Sequence, residues 1–173
     1  LLSFSLPLIV LMYLMKARKW QTLLNCIDIR IPILRSLEII LIGTFYGALT
    51  PGRTGEVSRA FYLDSEKSRS IPTIIMDRII DVICLMFLSV LAIAFFFNDR
   101  NLIYLMTFIM SLSVVGIVII TNEKAVTLFF RIFFKNKEHK ENYIKTMREI
   151  TENKRVLSKV FLLTLGYYLV NLV

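Results

Sequence analysis

Six ionisable residues could do chemistry here. Arg53, Glu56 and Arg59 lie in "PGRTGEVSRAFYL"; Asp77, Arg78 and Asp81 lie in "MDRIID". An arginine fork matches a phosphate or a carboxylate with two parallel hydrogen bonds. A carboxylate beside it fixes its position or receives an amine. Glu56 and Arg59 are three residues apart, so on a helix they share a face. Asp77, Arg78 and Asp81 fall at about 0°, 100° and 40° around a helix, an arc of about 100°. Each cluster is therefore one-sided, and the spacing predicts that they face each other. Three cations (Arg53, Arg59, Arg78) equal three anions (Glu56, Asp77, Asp81). Pure structural pairing is thus an alternative to ligand binding. Both hold if a paired network opens to admit a phosphate.

The surroundings of these charges point to a membrane. The chain has 173 residues, is 56% hydrophobic, and carries a net charge of +8. Soluble domains are about 45–50% apolar. The excess here is gathered in blocks, with Lys and Arg in short segments between them. That is the pattern of cytoplasmic loops flanking membrane helices, and it argues against a nucleic-acid partner. Ionisable residues at membrane depth are rare, face inward and mark pathways. Cys84 sits in an apolar run and Cys26 stands apart, with no CxxC or His/Cys cluster. No metal, redox centre or cofactor is expected. The lone His139 is expected in a solvated, charged loop. Both termini fall within hydrophobic runs, which reads as a fragment of a larger membrane protein. The first run lacks the flanks of a signal peptide.

The expected fold class is all-α: a polytopic transmembrane bundle in one membrane domain over 1–173. Spans are expected at about 1–15, 71–97, 102–121 and from 160 to 173. "KARKW" after the first span, with Lys16, Arg18, Lys19 and Trp20, has the composition of a membrane edge. Residues 21–32 are expected at the interface, and Arg35 and Glu38 can pair one turn apart. Residues 123–134 are expected to form an interfacial helix, and 135–159 a solvated loop. Phe95 to Phe97 and the Tyr167–Tyr168 pair are expected to face lipid or the interface.

The segment 33–50 is the exception among the apolar stretches. Its charge-free part, "IILIGTFYGALT", rises about 18 Å as a helix, against a hydrocarbon core of about 30 Å. Pro51-Gly52 then stops it, and a second short helix is expected over 54–64. Five Lys/Arg lie in 16–35 and nine in 122–155. Both loops are therefore expected on the cytoplasmic side, separated by an even number of crossings. Three apolar segments lie between them. A re-entrant hairpin over about 33–64, broken at Pro51, Gly52 and Gly55, restores the parity; the alternative is that 33–50 spans and the charge rule fails once. Irregular backbone at membrane depth is tolerated where it lines a wet cavity. The helix starting near Thr54 would then point a partly positive N-terminus at an anion.

"PGRTGEVSRAFYL" followed by "MDRIID" resembles the membrane region of lysylphosphatidylglycerol synthases, a flippase-like family. The matching residues are Pro51, Gly52, Arg53, Gly55, Glu56, Arg59, Asp77, Arg78 and Asp81. Position 77 holds Asp where Glu is common. The resemblance implies a multi-pass cell-membrane protein that flips or admits anionic or aminoacylated lipid headgroups. Membrane lipids, phospholipid or isoprenoid-linked, would be the partners. It implies a headgroup site at Arg53, Glu56, Arg59, Asp77, Arg78 and Asp81. No soluble transferase domain is present in these residues, so no catalytic residue is assigned. Two alternatives stay open: the membrane portion of a lipid aminoacyl- or glycosyltransferase, and a non-transporting membrane scaffold.

Overall fold

A computed structural model describes residues 2–63, 67–96, 100–121 and 137–171. The described residues are helical, in seven elements: α1 (Leu2–Cys26), α2 (Ile33–Leu49), the 3₁₀ helix η1 (Pro51–Tyr62), α3 (Lys67–Phe96), α4 (Arg100–Thr121), α5 (Lys137–Glu152) and α6 (Lys154–Asn171).

The first helix does not stop at "KARKW"; it runs to Cys26. The reason lies in the spacing of Ala17, Trp20, Leu23, Leu24 and Ile27, which repeats every three or four residues on one face. All five are buried. Trp20 is therefore a core residue, not the interfacial aromatic the composition suggested. Its indole N–H donates to the Thr73 hydroxyl on α3 at 3.2 Å. Residues 21–26 belong to this same helix. Lys16 and Lys19 are likewise helical residues, so the first basic loop is poorer in charge than the loop tally assumed. The helix ends in a Schellman cap: the Ile29 and Asp28 amides donate to the Leu24 and Asn25 carbonyls at 3.0 and 3.3 Å. Asp28 takes a left-handed φ of 62° where glycine is usual.

Helix α2 and η1 form an antiparallel hairpin. Thr50 is extended between them, and the Arg53 amide donates to the Thr50 carbonyl at 3.2 Å, closing the Pro51–Gly52 turn. The second leg begins at 51, not 54, and it is a 3₁₀ helix. Three residues per turn put Glu56 directly above Arg59. Their stems lie against Gly47 and Gly43 of α2. A Cβ on Gly47 would meet Glu56 Cγ at 2.7 Å, and one on Gly43 would run into the Arg59 side chain. At Gly55 it would strike the Tyr46 carbonyl. Glycine at these positions lets the legs approach. Arg35 and Glu38 pair as expected, at 2.7 Å on the exposed side.

The core gathers around α1, with Ile39 and Ile40 from α2, Ile74, Ile79 and Ile80 from α3, and Val160 from α6. Helix α5 adds Tyr143, Met147 and Ile150. Residues 137–152 and 154–159 are thus helical, not the expected solvated loop; amphipathic spacing docks α5 on α3. Asn153 separates α5 from α6 and accepts the Val156 amide at 3.2 Å, an N-cap. His139 lies on α5 but its side chain is not described, nor are those of Phe95 and Phe96; Phe97 and all of 123–134, the expected interfacial helix, fall outside the described residues. Tyr167 and Tyr168 are half-buried, edge to face, with ring centroids 5.2 Å apart. Among the described residues, no helix is long and apolar enough to cross a membrane. Large aliphatic and aromatic side chains are nonetheless exposed along α1, α3 and α4, from Leu6 and Ile9 to Phe87, Leu105 and Leu112.

Candidate functional site

Five of the six expected charges converge, and a seventh residue completes them. Arg59 contacts Glu56 at 2.8 Å and Asp77 at 3.4 Å. Lys19 of α1 contacts Asp77 at 2.8 Å and also pairs with Asp81. Arg78 pairs with Glu56 and reaches Asp81 at 3.7 Å. Followed round, these contacts form a closed ring of alternating sign: Arg59, Glu56, Arg78, Asp81, Lys19, Asp77 and back. It joins α1, η1 and α3. Glu56, Arg59, Asp77 and Lys19 are almost wholly buried. Removing charges from water is costly, and the alternation answers it by giving every charge two neighbours of opposite sign. The Arg59 guanidinium also lies over the Trp20 ring, 5.5 Å from its centroid, a cation–π contact.

Lys19 was missed because it was read as part of a membrane-edge loop. The available signal was the apolar stripe from Ala17 to Ile27, which carries helix α1 through "KARKW" and puts Lys16 and Lys19 beside its buried face. The one-sidedness of Asp77, Arg78 and Asp81 is correct, but they face two elements. Asp77 and Asp81 reach α1 through Lys19, and Arg78 reaches η1 through Glu56.

Arg53 stands outside the ring. It is exposed, and among the described residues neither it nor Lys16 makes an ion pair. The ring is balanced, three against three, so Arg53 and Lys16 are surplus positive charge. Arg53 also has a left-handed φ of 56°. Such a conformation disfavours a side chain with a Cβ, and outliers of this kind cluster at functional sites. The turn's own donors are partly engaged: Thr50 accepts the Arg53 amide through its carbonyl and the Gly55 amide through its hydroxyl, at 3.2 and 2.7 Å. Positive potential at this turn therefore comes from the Arg53 side chain more than from the free helix N-terminus the sequence suggested.

Beside the ring is a cavity of about 560 Å³. Arg53, Thr54, Glu56 and Arg78 form its polar end; Val57, Ile74, Ile75, Ile79 and Val82 form an apolar wall; Ser113 and Gly116 of α4 close the far side. Of the ring, the Arg78 side chain is the most open, at 35% exposure. The polar end is made to hold an anion between two guanidinium groups, with a carboxylate alongside. Among the described residues, no cluster of His, Cys, Asp and Glu is placed to hold a metal.

An all-helical array with buried matched charges and outward aliphatic side chains has the character of a helical membrane-family protein. The family model described as "Lysylphosphatidylglycerol synthase TM region" matches residues 1–173, and the chain belongs to that family, a membrane family tied to lipid handling. Searches among curated proteins and among solved structures give no match.

Proposed function

We propose that this chain is a multi-pass cell-membrane protein that admits an anionic or aminoacylated lipid headgroup to the cavity beside the charge ring and moves it across the bilayer. In this reading α1, α3, α4 and α6 lie in the bilayer as a bundle, since no described helix alone is long and apolar enough to cross it. The α2–η1 hairpin enters and turns back. Its legs are about 26 Å and about 24 Å long, short of the hydrocarbon thickness of about 30 Å. The outward aliphatic side chains of α1, α3 and α4 support the placement, since lipid is the solvent in which they cost nothing.

The observation that carries the reading is Arg53: a cation on the cavity wall, left over after every ring charge is matched. With Arg78, the ring cation most open to the cavity, it forms a two-arginine clamp for phosphate. Arg78 keeps its pair with Glu56, and only its looser contact with Asp81 has to yield to a ligand, while Lys19 keeps Asp81 neutralised. Glu56 stands where a headgroup amine would fall. Arg59, Asp77, Asp81 and Lys19 hold the clamp in place. Movement would follow rigid-body rearrangement about this site.

The test is lipid sidedness in vesicles reconstituted with the purified protein. Arg53→Ala touches no ion pair, so it leaves the fold intact. A charge-assisted bond to phosphate is worth about 1.5–3 kcal/mol, so translocation should slow by about 10- to 100-fold. An unchanged rate overturns the reading. A closed ring alone would also suit a membrane scaffold, because six matched charges suffice to dock η1 on α1 and α3. The scaffold expects sidedness to be indifferent to the protein itself.

A further inference from the structure

We propose that the gap between α3 and α4 is a slot for one acyl chain of the lipid whose phosphate meets Arg53 and Arg78, and that the lipid enters it sideways from within the bilayer. The slot rests on the headgroup reading above and adds what it does not contain: a second subsite, of opposite chemistry.

On α3, Ile75, Ile79 and Val82 fall at about 0°, 40° and 340°, one continuous apolar strip, and Arg78 follows at about 300°. The polar end and the apolar wall of the cavity are therefore contiguous along one helix face. Across the gap stands Gly116, where an added Cβ would meet nothing within 4 Å. No described residue fills this space. Water would find few polar partners along the isoleucine strip, so it is a poor occupant. Among the described elements, α4 closes this side of the slot. It packs against α3 among the described elements, and its flanking residues Leu112 and Val115 are exposed. A chain sliding in past α4 would meet aliphatic surface all the way to the arginines. The cavity, at about 560 Å³, is of a size that holds a headgroup with the start of a chain.

Two probes separate the subsites: dihexanoyl-phosphatidylglycerol, which has head and chains, and sn-glycerol 3-phosphate, which has only the head. Binding of each to the purified full chain in detergent is measured by titration calorimetry. Each buried methylene is worth about a fourfold change in affinity, so the lipid should bind at least about tenfold more tightly. Gly116→Trp should fill the slot, abolishing that advantage while glycerol phosphate binds within about twofold of the parent protein. Arg53→Ala should weaken both. If Gly116→Trp binds the lipid as the parent protein does, or the parent binds both probes equally, the slot is wrong and the headgroup reading survives. If the parent protein binds neither probe, both proposals fall. Ser113→Phe, on the same side of the slot, guards against a folding defect peculiar to position 116 and should mimic Gly116→Trp.

Discussion

Helix α3 meets two very different neighbours on adjacent faces. Toward α1 and η1 it presents Asp77 and Asp81, buried in a ring where each charge has two opposite partners. Toward α4 it presents Ile75, Ile79 and Val82 across a gap that no described residue fills. The charged face is tightly closed and the apolar face is open, the reverse of a soluble protein. The difference teaches where rigidity is needed. Charges removed from water must be held by fixed partners, whereas aliphatic surface can be left unpacked if lipid fills the space.

The closed face should be the fragile one. Asp77→Asn removes the carboxylate shared by Lys19 and Arg59 and leaves two cations facing each other. A cost of about 3–5 kcal/mol is expected, read as a fall in melting temperature in detergent. The double variant Lys19→Met/Asp77→Leu should recover part of it; strict additivity of the two single changes would show that the ring is not one network.

A single type of change, glycine to alanine, should have opposite signs on the two faces. Gly47→Ala forces Glu56 aside and should cost about 1–3 kcal/mol. Gly116→Ala meets empty space and gains helix propensity, so it should stabilise by about 1 kcal/mol. Equal effects at both sites would mean that the gap beside α4 is filled.

Outside the two faces, α5 offers a pH handle. Burial pushes the Tyr143 phenol up to about 12, from 10.0. Below pH 10 the phenol is neutral folded or unfolded, and its contribution is intact. Between about 10 and 12 the unfolded chain loses the proton first, so stability should fall by up to about 2–3 kcal/mol. Tyr143→Phe should flatten that limb of the stability–pH curve.

The smallest effect is also the most discriminating. Arg53→Gly removes the surplus cation and relieves its left-handed backbone, so it should raise stability by about 1 kcal/mol while slowing lipid movement. If stability drops instead, Arg53 holds the turn together and is not a spare charge.

The sequence showed the constellation at 53–59 and 77–81 because its residue types are improbable inside apolar blocks. It showed the Pro51–Gly52 reversal and the helical class for the same local reasons. It misled at "KARKW" and at 137–159. A run of basic residues reads as a loop until packing shows that Trp20 and Lys19 point inward, and that Tyr143, Met147 and Ile150 cover α3.

What the chain alone determined is local: which segments turn helical, where they break, and which charges lie on a common face, because spacing and backbone chemistry act over a few residues. Which cation closes the ring was decided only by tertiary structure. Lys19 is 58 residues from Asp77, and no periodicity links them. Helix packing put Lys19 in the place Arg53 was expected to fill, and that exchange is what left Arg53 free on the cavity wall.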